Sequence, residues 1–133
     1  MKTSTVLSFN GDCEAAFRFY ELHLGGQPGA IFRYAGSPMV DGVPPDWADK
    51  IMHGSIVVGD HELMGGDSFG ARYEPPRGFT LSLQMSDTVD AERIYNALAQ
   101  DGTVVMPLEA TFWAARFGMV IDRFGIPWQI NCE

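Results

Sequence analysis

Apolar and polar positions along this chain fall into a strand, a helix and further strands, and the same order then begins again. Residues 3–9 alternate and predict a strand; Asn10-Gly11-Asp12 follows as a turn with a helix N-cap. The next stretch places Ala16, Phe17, Tyr20 and Leu24 on one face of a helix that stops at Gly25-Gly26. Strands are predicted at 29–34, 50–58 and 62–64, the last two joined as a hairpin through Gly59-Asp60-His61. The second set opens with a strand at 79–85. A helix capped by Asp87 then presents Ala91, Ile94, Tyr95 and Leu98 and ends near Gly102, before strands at 103–106, 116–121 and 127–131. Asp12, Ala16 and Tyr20 match Asp87, Ala91 and Tyr95 at one offset, so the pattern predicts a β-α-β-β-β unit used twice. The modules run from about 1 to 67 and from about 78 to 133, within a single domain spanning 1–133. The Pro/Gly-rich stretch 36–49 is long for a compact domain and predicts a functional or mobile segment, and a second loop with Gly and Pro spans 65–77.

Strand parity assigns faces. If Phe79, Leu81, Leu83 and Met85 pack under the helix, then Thr80, Ser82 and Gln84 face the other way. By the same rule His53, Ser55 and Val57 share the helix-free face of the first module. Gln129 and Asn131 oppose Ile126, Trp128 and Ile130 on the last strand. A polar row on a partly enclosed face calls for partners, as in a small-molecule cleft; the plainer reading is a one-sided sheet with its polar side in water.

Composition removes whole classes of function. The chain has 133 residues and a net charge of -8, with nine basic residues and none of them in a run. That length suits one domain, and that charge argues against nucleic acid or an anionic membrane as a partner. No stretch approaches the apolar length of a membrane span or a signal-peptide core, which predicts a cytoplasmic protein. Cys13 and Cys132 stand at opposite ends without metal-type spacing, and a reduced pair is expected.

The candidate chemistry is sparse. His53 is the candidate catalytic residue, as a general base or hydrogen-bond donor, against the commoner fate of a strand histidine tied to nearby backbone. His61 reads as a solvent-exposed turn residue and His23 as a partner for the end of the first helix. Phe112 and Trp113 can wall an apolar pocket while Arg116 holds a carboxylate or phosphate; alternatively Arg116 pairs with Asp122 or Glu109. Asp122-Arg123-Phe124-Gly125 reads as a hairpin turn with glycine at a positive φ, leaving Phe124 and Trp128 to the core. Trp47 is either part of a lid or a single aromatic pinning its loop to the body. Arg33 and Tyr34 are weaker candidates. Gly25-Gly26 follows a helix rather than a first strand, which contradicts a dinucleotide- or S-adenosylmethionine-type loop.

Three stretches, FNGDCEAAFRFY, MHGSIVVGDHELM and MPLEATFWAARFGMVIDRFGIPWQIN, resemble the PhnB-like branch of the glyoxalase/bleomycin-resistance/dioxygenase (vicinal oxygen chelate) superfamily, and the resemblance covers nearly the whole chain. It implies an α+β fold in which the two modules form a curved, mostly antiparallel sheet around a cleft, usually in a homodimer. Metalloenzymes of this superfamily hold a divalent ion with His and Glu from both halves. Those positions fall here near Thr5, on Phe79 or Thr80, and on Gln129, which lack the usual charge. No resident metal is therefore expected; the fallback ligands are His53, Glu62 and Gln129, too few for an ion that ordinarily takes three protein ligands. Ligand contact is expected from Thr80, Ser82, Trp113, Arg116, Gln129 and Trp47. Three functions stay open: an enzyme acting on a small molecule without a tightly held metal, a ligand-sequestering protein of drug-resistance type, and a weakly metal-dependent lyase, isomerase or dioxygenase relative.

Overall fold

A computed structural model describes residues 1–133. The chain divides into two compact units, Met1–Pro75 and Pro76–Glu133. The first contains β1 (Thr5–Phe9), α1 (Cys13–Leu24), β2 (Gln27–Arg33), β3 (Ile51–Val58) and β4 (His61–Asp67). The second contains β5 (Leu81–Met85), α2 (Thr88–Ala99), β6 (Thr103–Glu109), β7 (Arg116–Ile121) and β8 (Pro127–Cys132). The repeated β-α-β-β-β order is as the periodicity predicts. The sheets have equivalent orders, β1-β4-β3-β2 and β5-β8-β7-β6. In each, the first strand runs parallel to the last and the other pairs are antiparallel, so both sheets are mixed.

One helix covers one face of each sheet. In the first unit Leu7, Phe9, Ala16, Phe17, Tyr20, Ile56 and Leu63 are buried together, with Phe9 edge-on to Phe17 at 5.9 Å. In the second the buried set includes Ala91, Tyr95, Leu98, Val120, Trp128 and Ile130. The repeat reaches into the packing. Gly54 pairs with Gly65, itself beside Leu7, while Gly118 pairs with Ile130, itself beside Leu83, so Gly54 and Gly118 hold the same place in the two sheets. A Cβ on Gly118 would lie 2.9 Å from the Tyr95 ring, and one on Gly54 would lie 3.4 Å from the Phe17 ring. Each third strand thus omits a side chain where the helix presents an aromatic.

Several boundaries differ from the sequence expectation. β4 continues to Asp67 instead of ending at Met64, because its second half pairs in parallel with β1 through Leu7↔Gly65 to Phe9↔Asp67. His61 is the first residue of that strand, not a turn residue, and its Nε2 lies 2.8 Å from Thr5 Oγ1. β5 begins at Leu81, so Phe79 is exposed outside it and Thr80 precedes it. Asp12 makes no capping hydrogen bond for α1; the Cys13 N–H donates instead to Asp67 Oδ1 at 2.9 Å. Asp87 does cap α2, accepting from the Val89 and Asp90 amides at 2.8 and 3.3 Å. Gly25 closes α1 at φ 66, and Gly125 takes φ 88 in the turn before β8.

Candidate functional site

The helix-free face of the second sheet carries a linked set of neutral polar side chains. Register places Ser82 beside Gln129 and Gln84 beside Asn131, with Met119 and Phe117 next in the same two rows. Ser82 Oγ accepts from Gln84 Nε2 at 2.7 Å and from Gln129 Nε2 at 3.1 Å. Asn131 Nδ2 donates to Gln84 Oε1 at 2.8 Å. Asn131 Oδ1 is buried and accepts no hydrogen bond. The face expected from parity is therefore present, and its side chains supply most of one another's partners.

An aromatic wall adjoins this ladder. Phe117, beside Asn131, has the Trp113 ring at 5.3 Å, and Trp113 in turn has Phe112 at 4.8 Å. Thr111 Oγ1 fixes the loop by accepting from the Trp113 and Ala114 amides at 3.3 and 3.0 Å. Phe112 is 97% exposed and Trp113 53%. Arg116 does not join them. It pairs with Cys132 on the helix side of the sheet, where Nε lies 3.4 Å from Glu92 Oε1 and Nη1 donates to the Ala115 carbonyl at 2.7 Å. Its acidic partner is thus Glu92 on α2, rather than Asp122 or Glu109.

In the first unit His53 stands beside Phe32, and Val6, Ser8, Ser55, Val57, Glu62 and Met64 share the helix-free side. A concavity of about 250 Å³ opens here, lined by Val6, Ser8, Tyr34, Met52, His53 and Ser68 and by the backbone of Gly65-Gly66. Ser8 Oγ and Ser68 Oγ are 2.7 Å apart. The ring nitrogens of His53, which is exposed, make no hydrogen bond within the protein. Ser55 is packed against Gly29, where a methyl group would overlap its hydroxyl.

The fallback metal set does not assemble. Glu62 pairs with Val57, four residues along β3 from His53, a distance of about 13 Å at strand rise. Glu62 instead faces Lys2 at 3.5 Å. Thr5 is tied to His61, and Gln129 belongs to the neutral ladder of the second unit. No group of three or more His, Cys, Asp or Glu side chains is placed to hold an ion. The donors do not fit a catalytic divalent centre.

Two carboxylates are buried and take backbone amides as partners. Asp67, 3% exposed, receives the Cys13 amide on Oδ1 and the Ile51 amide on Oδ2 at 3.0 Å, while Tyr34 donates to its carbonyl at 2.6 Å. Burial, and then the Asp67 charge, push the Tyr34 hydroxyl pKa above its ordinary value. Asp122, also 3% exposed, sits in the turn that the sequence predicts. It accepts from the Phe124 and Ile126 amides and from Trp128 Nε1, each at 2.9 Å. Both organise structure beside the candidate surfaces. Trp47 packs on Phe69 at 5.1 Å and against Gly11, pinning its loop to the body. Arg33 reaches Glu14 at 2.8 Å, and Lys50 Nζ donates to the Gly11 carbonyl at 2.8 Å.

A β-α-β-β-β unit used twice, each sheet covered by a helix on one face and carrying candidate contact residues on the other, defines a paired-module small-molecule fold. The chain belongs to the Glyoxalase/Bleomycin resistance protein/Dioxygenase superfamily, whose family model matches residues 3–130. It is 31% identical to Protein YjdN of Escherichia coli K12 over 141 residues, covering 98% of this chain and 95% of that protein. It is 46% identical to protein PA1353 of Pseudomonas aeruginosa, with a TM-score of 0.87 over 100% of this chain and 98% of that one. The PhnB protein of Bacillus cereus matches at 25% identity and a TM-score of 0.85, with full coverage of both chains. Superfamily members bind small molecules. No helix is long and apolar enough to cross a membrane.

Proposed function

We propose that this chain handles small organic molecules on the helix-free faces of its sheets, through neutral hydrogen-bonding groups and an aromatic wall on the second sheet and an imidazole on the first. A resident divalent ion has no part in this reading. The observation that carries it is the Ser82–Gln84–Gln129–Asn131 ladder, which ends in a buried carbonyl oxygen, Asn131 Oδ1, without a donor. Ser82 and Gln84 are exposed and offer the hydrogen-bonding groups that a bound molecule reaches, whereas Asn131 Oδ1 is closed off from the surface. Phe117 and Trp113 supply the apolar contact that orients such a molecule. In an enzymatic version of the reading, His53 is the group able to take up or release a proton.

The test is a thermal-shift and calorimetric screen of small aromatic, carbonyl and amide compounds against the wild-type chain and the Ser82→Ala and Gln129→Ala variants. A saturable shift that weakens in both variants supports the reading. Binding that is indifferent to both, and to His53→Ala as well, contradicts it.

The Phe112–Trp113–Phe117 series, with Phe112 and Trp113 exposed, favours a second reading, sequestration without turnover, because an aromatic wall binds without doing chemistry. Stoichiometric protection of a ligand from modification, with no product over many equivalents, separates this from catalysis. The reading also includes a homodimer. The exposed apolar residues of β2 and β6 (Ile31, Phe32, Val104, Val105 and Met106) support it. Sedimentation equilibrium at micromolar concentration tests it.

A further inference from the structure

We infer that the concavity of the first unit takes one aromatic ring bearing a hydroxyl group, a deepening that rests on the small-molecule reading above. Size sets the first limit. The space is about 250 Å³, whereas an apolar cavity of about 150 Å³ suffices for benzene, so one ring with one or two substituents fits within it.

Shape sets the second. Gly65 and Gly66 leave that stretch of the wall as bare peptide. Neither position accepts a side chain, since a Cβ on Gly66 would overlap the Met52 carbonyl and one on Gly65 would lie 2.7 Å from the Leu7 carbonyl. A surface without side chains suits a flat ring, and Val6 and Met52 add hydrocarbon and thioether contact beside it.

Polarity sets the third. Ser8 and Ser68 share one hydrogen between their oxygens, which leaves one hydroxyl hydrogen to donate outward. β4 separates β1 from β3, so His53 stands about two strand spacings, or about 10 Å, from the Ser8 strand. Its ring nitrogens are unengaged, and neutral imidazole offers one donor and one acceptor. The nearest carboxylate, Asp67, has each oxygen occupied by a backbone amide and supplies negative charge that disfavours an anionic ligand. A neutral phenol satisfies all these limits, with its hydroxyl directed to His53 or to the serine pair.

The probe is 4-fluorophenol, followed by fluorine NMR against the whole chain, with 4-fluorotoluene as the matched compound lacking the hydroxyl. Saturable broadening is expected with wild type and with Leu22→Ala, which alters an exposed position on α1, and at least tenfold weaker binding with His53→Ala and Ser8→Val. 4-Fluorotoluene should bind at least fivefold more weakly than the phenol. Folding of each variant is checked by its melting curve, and His53→Ala alters an exposed residue, which keeps the test informative if Ser8→Val unfolds. Binding of the phenol that is lost in Gln129→Ala but kept in His53→Ala overturns the assignment to this concavity and leaves the general ligand reading standing. Absence of binding by 4-fluorophenol together with every compound of the wider screen overturns both.

Discussion

Asp122 Oδ2 accepts the indole N–H of Trp128 at 2.9 Å, and both groups are almost wholly buried. The other oxygen accepts the Phe124 and Ile126 amides, so one carboxylate holds the turn between β7 and β8 and anchors the largest core side chain of the second unit. Removing it takes the acceptor from the buried Ile126 amide and Trp128 indole and from the part-buried Phe124 amide. Asp122→Ala should cost about 2–4 kcal/mol in urea denaturation, and Asp122→Asn less, since its carbonyl oxygen still accepts. Equal stability of Asp122→Ala and wild type would contradict this assignment.

The glycines of the third strands make a graded prediction. Gly118→Ala places a methyl 2.9 Å from the Tyr95 ring and 3.0 Å from the Leu108 backbone, and should destabilise by about 1–3 kcal/mol. Gly54→Ala meets its nearest neighbours at 3.4 Å and should cost less. Denaturant midpoints of the two variants check the order.

Cys13 opens α1, a position that ordinarily favours the thiolate. Burial, then the charges of Asp67, Asp12 and Glu14, push its thiol far up instead. Both cysteines are free and buried. Neither should react with a disulfide reagent at pH 8 in the native state, and two thiols should react once the chain is unfolded in guanidinium. Rapid native labelling at Cys13 would contradict the packing described.

Glu14 titrates below the ordinary glutamate range, chiefly through its hydrogen bond from Arg33. A lowered folded-state pKa contributes stability that is fully present above the unfolded value, about 4.3, and is lost as pH falls through the folded value. Glu14→Gln should therefore be less stable than wild type at pH 6–7, with the difference shrinking as pH falls below about 4.3 and in high salt. A gap that persists unchanged at pH 3 would contradict it.

Much of the fold was legible because its signals are local. Alternation and helical spacing, with the turn glycines Gly25 and Gly125, mark the repeated unit from residues near one another in sequence. The missed features are long-range. Asp67 caps a helix 54 residues earlier in the chain, and no local pattern distinguishes that carboxylate from Asp12, the closer candidate. β4 was cut short because Gly65-Gly66 read as loop; those glycines sit in a strand where neighbouring backbone and the Phe9 ring leave no room for side chains. At the site, parity correctly grouped Ser82, Gln84, Gln129 and Asn131. It did not separate Arg116 from Trp113, because their relation depends on which side of β7 faces α2, and Glu92 fixes that. Trp47 illustrates a further limit: its partner Phe69 lies in another loop, beyond any periodic signal.

The central claim is that ligand recognition here runs through neutral groups without a resident divalent ion. Elemental analysis of the purified chain, paired with melting curves in added zinc, manganese, nickel and iron(II), tests it most directly, because an ion held by the native state raises the melting temperature. The account predicts well under one equivalent of any such metal and no saturable shift in either wild type or His53→Ala. A stoichiometric ion, or a clear shift abolished by His53→Ala, would contradict it.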